Sequence, residues 1–231
     1  MSLSRWSSEE HGTLAPMQHV EDLLERLETR WQALVTQFQW PDSSRDVFVD
    51  LISRYSEPHR RYHTVSHLEA VLAVIDELSS SVTSTTNAVL AAWFHDAVYD
   101  PLAADNEERS SDLADDALMG LGVAREVVNS VCSLVIAAKT HDVGAGADAA
   151  VLLDADLSIL GAGEKYYDRY ASGVRFEFGD VPDDLYRSGR IAVLEDFLSR
   201  PSIFSTSLAQ ERFEETARAN LRREIAQLRV A

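Results

Sequence analysis

Ala91-Ala92-Trp93-Phe94-His95-Asp96-Ala97-Val98-Tyr99-Asp100 runs an apolar helix straight into an adjacent histidine and aspartate. The helix is expected to begin near Asn87, to carry Val89, Leu90, Trp93, Phe94 and Ala97 among small alanines, and to end at Asp100-Pro101. An almost wholly apolar helix belongs in the middle of a core. Burying a histidine and a carboxylate at its end is costly unless something satisfies them. A divalent metal would do so, and its remaining ligands should then lie elsewhere in the chain.

Outward from this stretch, nearly every segment has helical spacing. Val20, Leu23, Leu24, Leu27, Trp31, Leu34, Val35 and Phe38 recur at steps of three and four, which predicts one amphipathic helix. Trp40-Pro41-Asp42 breaks it, and Val47, Phe48, Leu51, Ile52 and Tyr55 mark a second. In Arg60-Arg61-Tyr62-His63-Thr64-Val65-Ser66-His67-Leu68-Glu69, Ser66 and Glu69 have capping-box spacing. Ser66 is therefore expected as an N-cap, with His67 in the first helical turn and His63 outside it in the entering loop. After the Ser/Thr-rich connection Ser79 to Thr86 and the central helix, Asp105 and Glu108 repeat the capping-box spacing, opening a helix to Gly120. Further helices are expected over Val123 to Lys139, over Asp148 to Leu160 with Gly161 as its stop, after Pro182, and from about Leu208 to Leu228. His141 to Ala147 reads as a Gly/Asp loop, and residues 164 to 178 are rich in Tyr and Phe. No convincing strand alternation, repeat or linker interrupts the series. The fold class predicted is all-α, with a polar tail over residues 1–16 and a single domain over 17–231.

The totals narrow the function. Net charge is −17, from 38 acidic and 21 basic residues in 231. Such a chain repels a phosphodiester polymer, so long nucleic acid is not an expected partner. Small anions remain open where a metal and local cations reverse the field. No apolar run approaches the ~18 residues of a membrane span, and the polar N-terminal stretch lacks the apolar core of a secretory signal. Cys132 is the only cysteine, which excludes a thiolate zinc cluster and an intrachain disulfide framework. A reducing cytoplasm fits that usage.

Taken together, His67, His95, Asp96 and Asp156 supply two imidazoles and two carboxylates near apolar helix positions. Such a borderline-hard set can hold Zn, Fe, Mn, Co or Ni. An isolated buried histidine is more often a hydrogen-bonded core residue, and spacing this wide carries little specificity by itself. Asp154 and Asp156 lie ~200° apart on a helix, so both cannot point at one metal.

A histidine opening a helix, a His-Asp doublet ending an apolar one and a late aspartate resemble the HD superfamily of helical, metal-dependent phosphohydrolases. The finer pattern is similar to a bacterial group described as predicted metal-dependent HD phosphohydrolases. It is carried by Arg61-Tyr62-His63 with His67, Trp93-Phe94-His95-Asp96 with Tyr99-Asp100, and Asn106-Glu107-Glu108-Arg109-Ser110. Lys139-Thr140-His141, Asp154-Ala155-Asp156-Leu157, and Arg190 with Ala217-Arg218-Ala219-Asn220-Leu221 complete it, so that the resemblance runs from about residue 17 to 230. It implies an HD-type helical bundle and, as metal ligands, His67, His95, Asp96 and Asp156. Asp156 is chosen because the pattern places the ligand just before an apolar Leu-x-x-Leu segment, here Leu157 and Leu160. Asp154 then falls behind the ligand or on the helix surface.

The implied activity is hydrolysis of a small phosphorylated metabolite or nucleotide by a water activated at the metal. One divalent ion per chain is expected, from Mn, Fe, Zn, Co, Ni or Mg, with a second left open through His63, Glu107 or His141. His63, Glu107, Lys139 and His141 are the catalytic candidates, and Arg61, Arg109 and Arg190 the phosphate-binding ones. For each arginine alone a structural ion pair is the commoner role. Lys139 and His141 end a helix, where cations are favoured anyway. Two rival readings are a metal- or nucleotide-binding sensor without turnover and an HD-type diiron oxygenase, the latter disfavoured by the missing extra histidines. Tyr166, Tyr167, Tyr170, Phe176 and Phe178 leave three uses open: capping a pocket, lining a homo-oligomer interface, or filling core, the commonest.

Overall fold

The computed structural model describes residues 16–79, 85–141 and 146–230. Among them are ten α-helices and no strand, in the order α1 (Pro16–Phe38), α2 (Ser44–Arg54), α3 (Val65–Leu78), α4 (Thr86–Phe94) and α5 (Asn106–Gly120). There follow α6 (Arg125–Ala137), α7 (Ala147–Asp156), a 3₁₀ segment (Leu157–Gly161), α8 (Glu164–Glu177), α9 (Asp183–Ser199) and α10 (Ser207–Val230). The fold is all-α, as periodicity predicts. The expected tail, and parts of the connections at 79–86 and 141–147, lie outside the described residues.

The core forms around α4. Ala88, Leu90, Ala91, Ala92, Trp93 and Phe94 are wholly buried, with α3, α5, α6 and α7 packed against them. Burying side chains such as Leu90 and Phe94 is worth roughly 1.5–3 kcal/mol each, enough to hold this helix inside despite its polar end. On one side the indole of Trp93 meets Trp31 edge-on at 5.0 Å. Trp31 in turn donates its Nε1–H to the carbonyl of Ser44 at 3.0 Å, tying α1 to the start of α2.

Two boundaries differ from expectation, each for a local reason, and a third cap lacks its expected bond. The central helix stops at Phe94, with His95 as its C-cap, rather than at Asp100-Pro101. The buried Arg60 guanidinium takes the carbonyls of Asp96 (2.7 Å) and Ala97 (3.1 Å), and the Asp100 N–H goes to the Asn106 side chain (3.0 Å). Those groups are then lost to a continuing helix. Helix α3 is capped by Thr64, not Ser66: Thr64 is extended and its hydroxyl accepts the Ser66 N–H at 3.3 Å. Glu69, the expected reciprocal partner, is drawn instead to Arg26 of α1 at 3.1 Å. Asp105 does precede α5, but makes no side-chain cap bond, while Glu108 pairs with Lys139.

Gly161 ends the 3₁₀ segment without adopting a left-handed conformation. Its role is close approach. A Cβ there would lie 2.6 Å from the Cβ and 2.8 Å from the Cα of Phe213 on α10. Gly163 has open space around it by the same measure. Gly161→Ala is therefore expected to lower the unfolding free energy by about 1–3 kcal/mol through overpacking. Gly163→Ala should change it by less than about 0.5 kcal/mol, the two compared by urea denaturation.

Candidate metal centre and adjoining cavity

Four side chains meet where three helices end. His67 lies in the first turn of α3, His95 and Asp96 close α4, and Asp156 is the last residue of α7. These helices pack on one another, so their ends share one place. Each of the four side chains offers a ligand atom, and all four atoms lie within 4.8 Å of one another. His67 Nε2 is 3.1 Å from His95 Nε2, 3.3 Å from Asp96 Oδ2 and 3.2 Å from Asp156 Oδ1. His95 Nε2 is 3.1 Å from Asp96 Oδ2 and 3.7 Å from Asp156 Oδ1. Neighbouring ligands at ~2.0–2.2 Å from a common ion stand about 3–3.6 Å apart, so this spacing fits a metal.

The tautomers fit as well. His95 Nδ1–H donates to the carbonyl of Ala92 at 2.9 Å, which leaves the Nε2 lone pair facing the other three donors. Burial opposes the charged form of every member, but the opposite charges in the set outweigh it. His67 and His95 are held above the usual histidine range, and Asp96 and Asp156 well below the usual carboxylate range. With a divalent cation in place of those protons, two carboxylates and two neutral imidazoles would balance its charge and offset the cost of desolvating the anions. The group could hold a metal ion, and its nitrogen–oxygen mixture suits borderline transition metals.

Asp156 rather than Asp154 joins the cluster. Asp154 is 1 % exposed and so does not lie on the helix surface. Its two oxygens accept the N–H groups of Ser205 (2.8 Å) and Thr206 (2.7 Å), which bracket the entry to α10. The second oxygen of Asp156 is 3.3 Å from His141 Nε2, a contact that aims the carboxylate.

A cavity of about 710 Å³ opens beside the cluster, lined by Asp96 and Asp156 and by four other expected site residues: His63, Glu107, His141 and Arg190. Its outer wall is apolar, with Leu102, Val181, Leu185 and Val193. The Arg190 guanidinium is not free: it meets Glu224 through two contacts, at 2.8 and 3.1 Å. Lys139 does not line this cavity; its ammonium bonds Glu108 at 2.5 Å and the Ala104 carbonyl at 2.7 Å. Arg109 is likewise outside it, 3.9 Å from Asp105. Arg61 sits over the Phe176 ring and lines a second cavity, of about 530 Å³, that meets the first at Tyr62, Asp156, Ile159 and Tyr170. The aromatic segment is a helix, and its members divide: Tyr167 is core, Phe176 is exposed, and Tyr170 and Phe178 line the first cavity.

Two residues of the site region carry no signal in the sequence. Arg60 bonds the carbonyls of His63, Asp96 and Ala97, joining the α3 entry loop to the doublet. Glu177, at the end of α8, bonds His63 and Tyr99. Both act on residues tens of positions away, which no local spacing reveals. Compared with models of known families, with functionally described proteins and with solved structures, the chain matches none.

Protein purified without chelator is expected to carry one metal equivalent per chain by inductively coupled plasma mass spectrometry; two equivalents would overturn the single-ion reading. Asp156→Ala should abolish that content. Asp154→Ala should retain it while losing about 1–3 kcal/mol of stability through the two abandoned N–H groups.

Proposed function

We propose that this protein is a metal-dependent phosphohydrolase of the HD class, acting on a small phosphorylated metabolite or nucleotide. The observation that supports this best is the convergence of His67, His95, Asp96 and Asp156 at the edge of a nucleotide-sized cavity. When bound there, a divalent ion lowers the pKa of water toward ~7 and polarises a phosphoryl oxygen. The chain's own residues do the rest. Asp96 and Asp156 present oxygens to the cavity, His141 fixes the angle of Asp156, and His63 supplies a proton-transfer group within reach of substrate. The apolar outer wall receives the organic part of the ester. With Lys139, Arg109 and Arg190 engaged elsewhere, the chain's own groups that face the phosphoryl group are His63 and His141. The single cysteine favours a reducing compartment such as the cytoplasm for this activity. Among the described residues no helix is long and apolar enough to cross a membrane.

The test is a screen of phosphorylated metabolites against protein loaded in turn with Mn, Fe, Zn, Co, Ni or Mg, read as phosphate or alcohol release. Turnover is expected with at least one metal. Asp96→Ala should lose both metal and turnover while its circular dichroism stays helical. Full activity of that variant at wild-type metal content would sink the mechanism, and tight binding without product would favour a sensor.

A further inference from the structure

The second cavity, of about 530 Å³, differs from the first in the charge of its lining. The first is lined by Asp96, Glu107 and Asp156, and its one arginine, Arg190, is cancelled by Glu224. Among the described residues lining the second, Asp156 is the one carboxylate, against three arginines: Arg61, Arg169 and Arg212. That balance is the reverse of the chain's own, whose net charge is −17. Arg212, on α10, is paired with Glu77 of α3. Arg61, in the loop entering α3, and Arg169, on α8, keep their charge. Both are exposed, and neither makes an ion pair or a side-chain hydrogen bond among the described residues. Each guanidinium rests on a ring instead: Arg61 lies 4.7 Å from the centroid of Phe176, and Arg169 lies 6.0 Å from that of Tyr166. Such contacts orient a guanidinium without cancelling its charge.

The rest of the lining agrees with this charge. Thr64 and Ser66 belong to the start of α3, and Gly163 and Tyr166 to the start of α8, so two helix N-termini border the cavity. Their partial positive charge adds to that of the arginines. Glu164, the one acidic residue in these two first turns, is drawn off by Arg223 at 2.9 Å. Val71, Val74, Ala155 and Phe213 supply an apolar wall. His67 and Asp156 line the cavity too. The candidate metal centre therefore stands between two cavities, with Asp96 facing the first, His67 the second and Asp156 both.

We propose that the second cavity is an anion subsite, in which Arg61 and Arg169 hold a second phosphate or carboxylate of the molecule whose ester phosphoryl group lies at the candidate metal centre. This inference rests on the phosphohydrolase reading and narrows its substrate class to esters that carry a further acidic group. A guanidinium meets either acid through two parallel N–H groups. A cleft lined by one sign of charge also concentrates its counter-ion, here against the repulsion of an acidic chain. The sequence groups Arg61 with Arg109 and Arg190 as binders of the reacting phosphate, and the structure separates them. Arg109 and Arg190 face carboxylates, whereas Arg61 joins Arg169, a residue without any motif, on the other side of the cluster.

The experiment measures binding by isothermal titration calorimetry, on the full chain loaded in turn with Mn, Fe, Zn, Co, Ni or Mg. The probes are the α,ω-bisphosphonates of ethane, butane and hexane, each beside the alkylphosphonate of the same length. A bisphosphonate offers one acid to the cluster and one to the arginines; an alkylphosphonate offers only the first. At least one bisphosphonate is expected to bind ~10-fold or more tightly than its partner, the gain from tethering a second contact. Arg61→Gln and Arg169→Gln should each reduce that advantage and together abolish it, with metal content and alkylphosphonate affinity unchanged. Both side chains are exposed, so the core is undisturbed. Arg222→Gln removes the same charge from an exposed arginine outside both cavities and should leave the advantage intact. An advantage that persists in the double variant, or none in the wild type, overturns this inference. Alkylphosphonate binding that is lost in Asp96→Ala then leaves the phosphohydrolase reading standing. Inorganic phosphate that binds Asp96→Ala through Arg61 and Arg169, with no bisphosphonate advantage in the wild type, makes the cavity a site for free phosphate and overturns its link to substrate. A wild type that binds no phosphonate with any of the metals overturns both.

Discussion

Two carboxylates and two imidazoles cannot be buried within hydrogen-bond range of one another without compensating positive charge, and much of the architecture follows from that constraint. The hydrophobic effect drives α4 inside, and the His95–Asp96 doublet goes with it because it directly follows the helix's last residue. At that depth the pair needs neighbours of matching chemistry. Helix α3 begins there and α7 ends there, bringing His67 and Asp156 into the same few ångströms. Four helix-terminal side chains on three elements form a site only if the elements meet at a fixed angle. The Arg60 clamp between the α3 entry loop and the Asp96 and Ala97 carbonyls supplies one such restraint. A buried guanidinium satisfying three carbonyls is hard to replace, because Lys lacks the planar fork and an apolar residue leaves the acceptors orphaned.

The strongly acidic composition also has an internal use. A net charge of −17 is read most simply as surface polarity that keeps the chain soluble. Three carboxylates do something else: each gathers neighbouring backbone N–H groups of a loop that leads into a helix. Glu177 holds residues 61–63 ahead of α3, and Asp154 holds Ser205 and Thr206 ahead of α10. Glu214 accepts from Ile203 and Phe204 in the same approach to α10. A charged acceptor makes such bonds roughly twice as strong as neutral ones, so loops without regular structure acquire defined paths. Asp154 is also two residues from the candidate ligand Asp156, so the bracket that starts α10 steadies the end of α7.

Much of this was legible in the sequence, and the limits have physical causes. Helical periodicity marks α1, α2, α4 and α10 because each presents a continuous apolar face or is apolar throughout. It also marks the His95–Asp96 doublet, since a polar pair at the end of a wholly apolar run is conspicuous. The N-cap of α3 is ambiguous in the sequence because Thr64 and Ser66 offer the same chemistry two residues apart. Which one caps depends on where the chain turns, and Arg26 removes the Glu69 that completes the Ser66 pattern. Gly161 looks like a helix stop, yet its requirement comes from Phe213 fifty residues on. The helix α8 was hidden by mixed aromatic and charged residues whose partners lie on several elements. Glu177, among them, bonds residues 114 to 116 positions away and leaves no trace in any local window.

Charge accounting sets the character of the cavity on the proposed reading. The two ligand carboxylates cancel a divalent ion, Glu224 cancels Arg190, and Glu108 cancels Lys139. The other titratable groups lining the cavity are His63 and His141, held against Glu177 and Asp156, and the carboxylate of Glu107. Among the described residues no lysine lines this cavity, and Arg190, which does, is engaged by Glu224. On that reading the apolar residues Leu102, Val181, Leu185 and Val193 would face the organic body of the ester. Such a body gains roughly 25 cal/mol for each Å² of apolar surface it buries, and that energy is available to hold the phosphoryl group against His63.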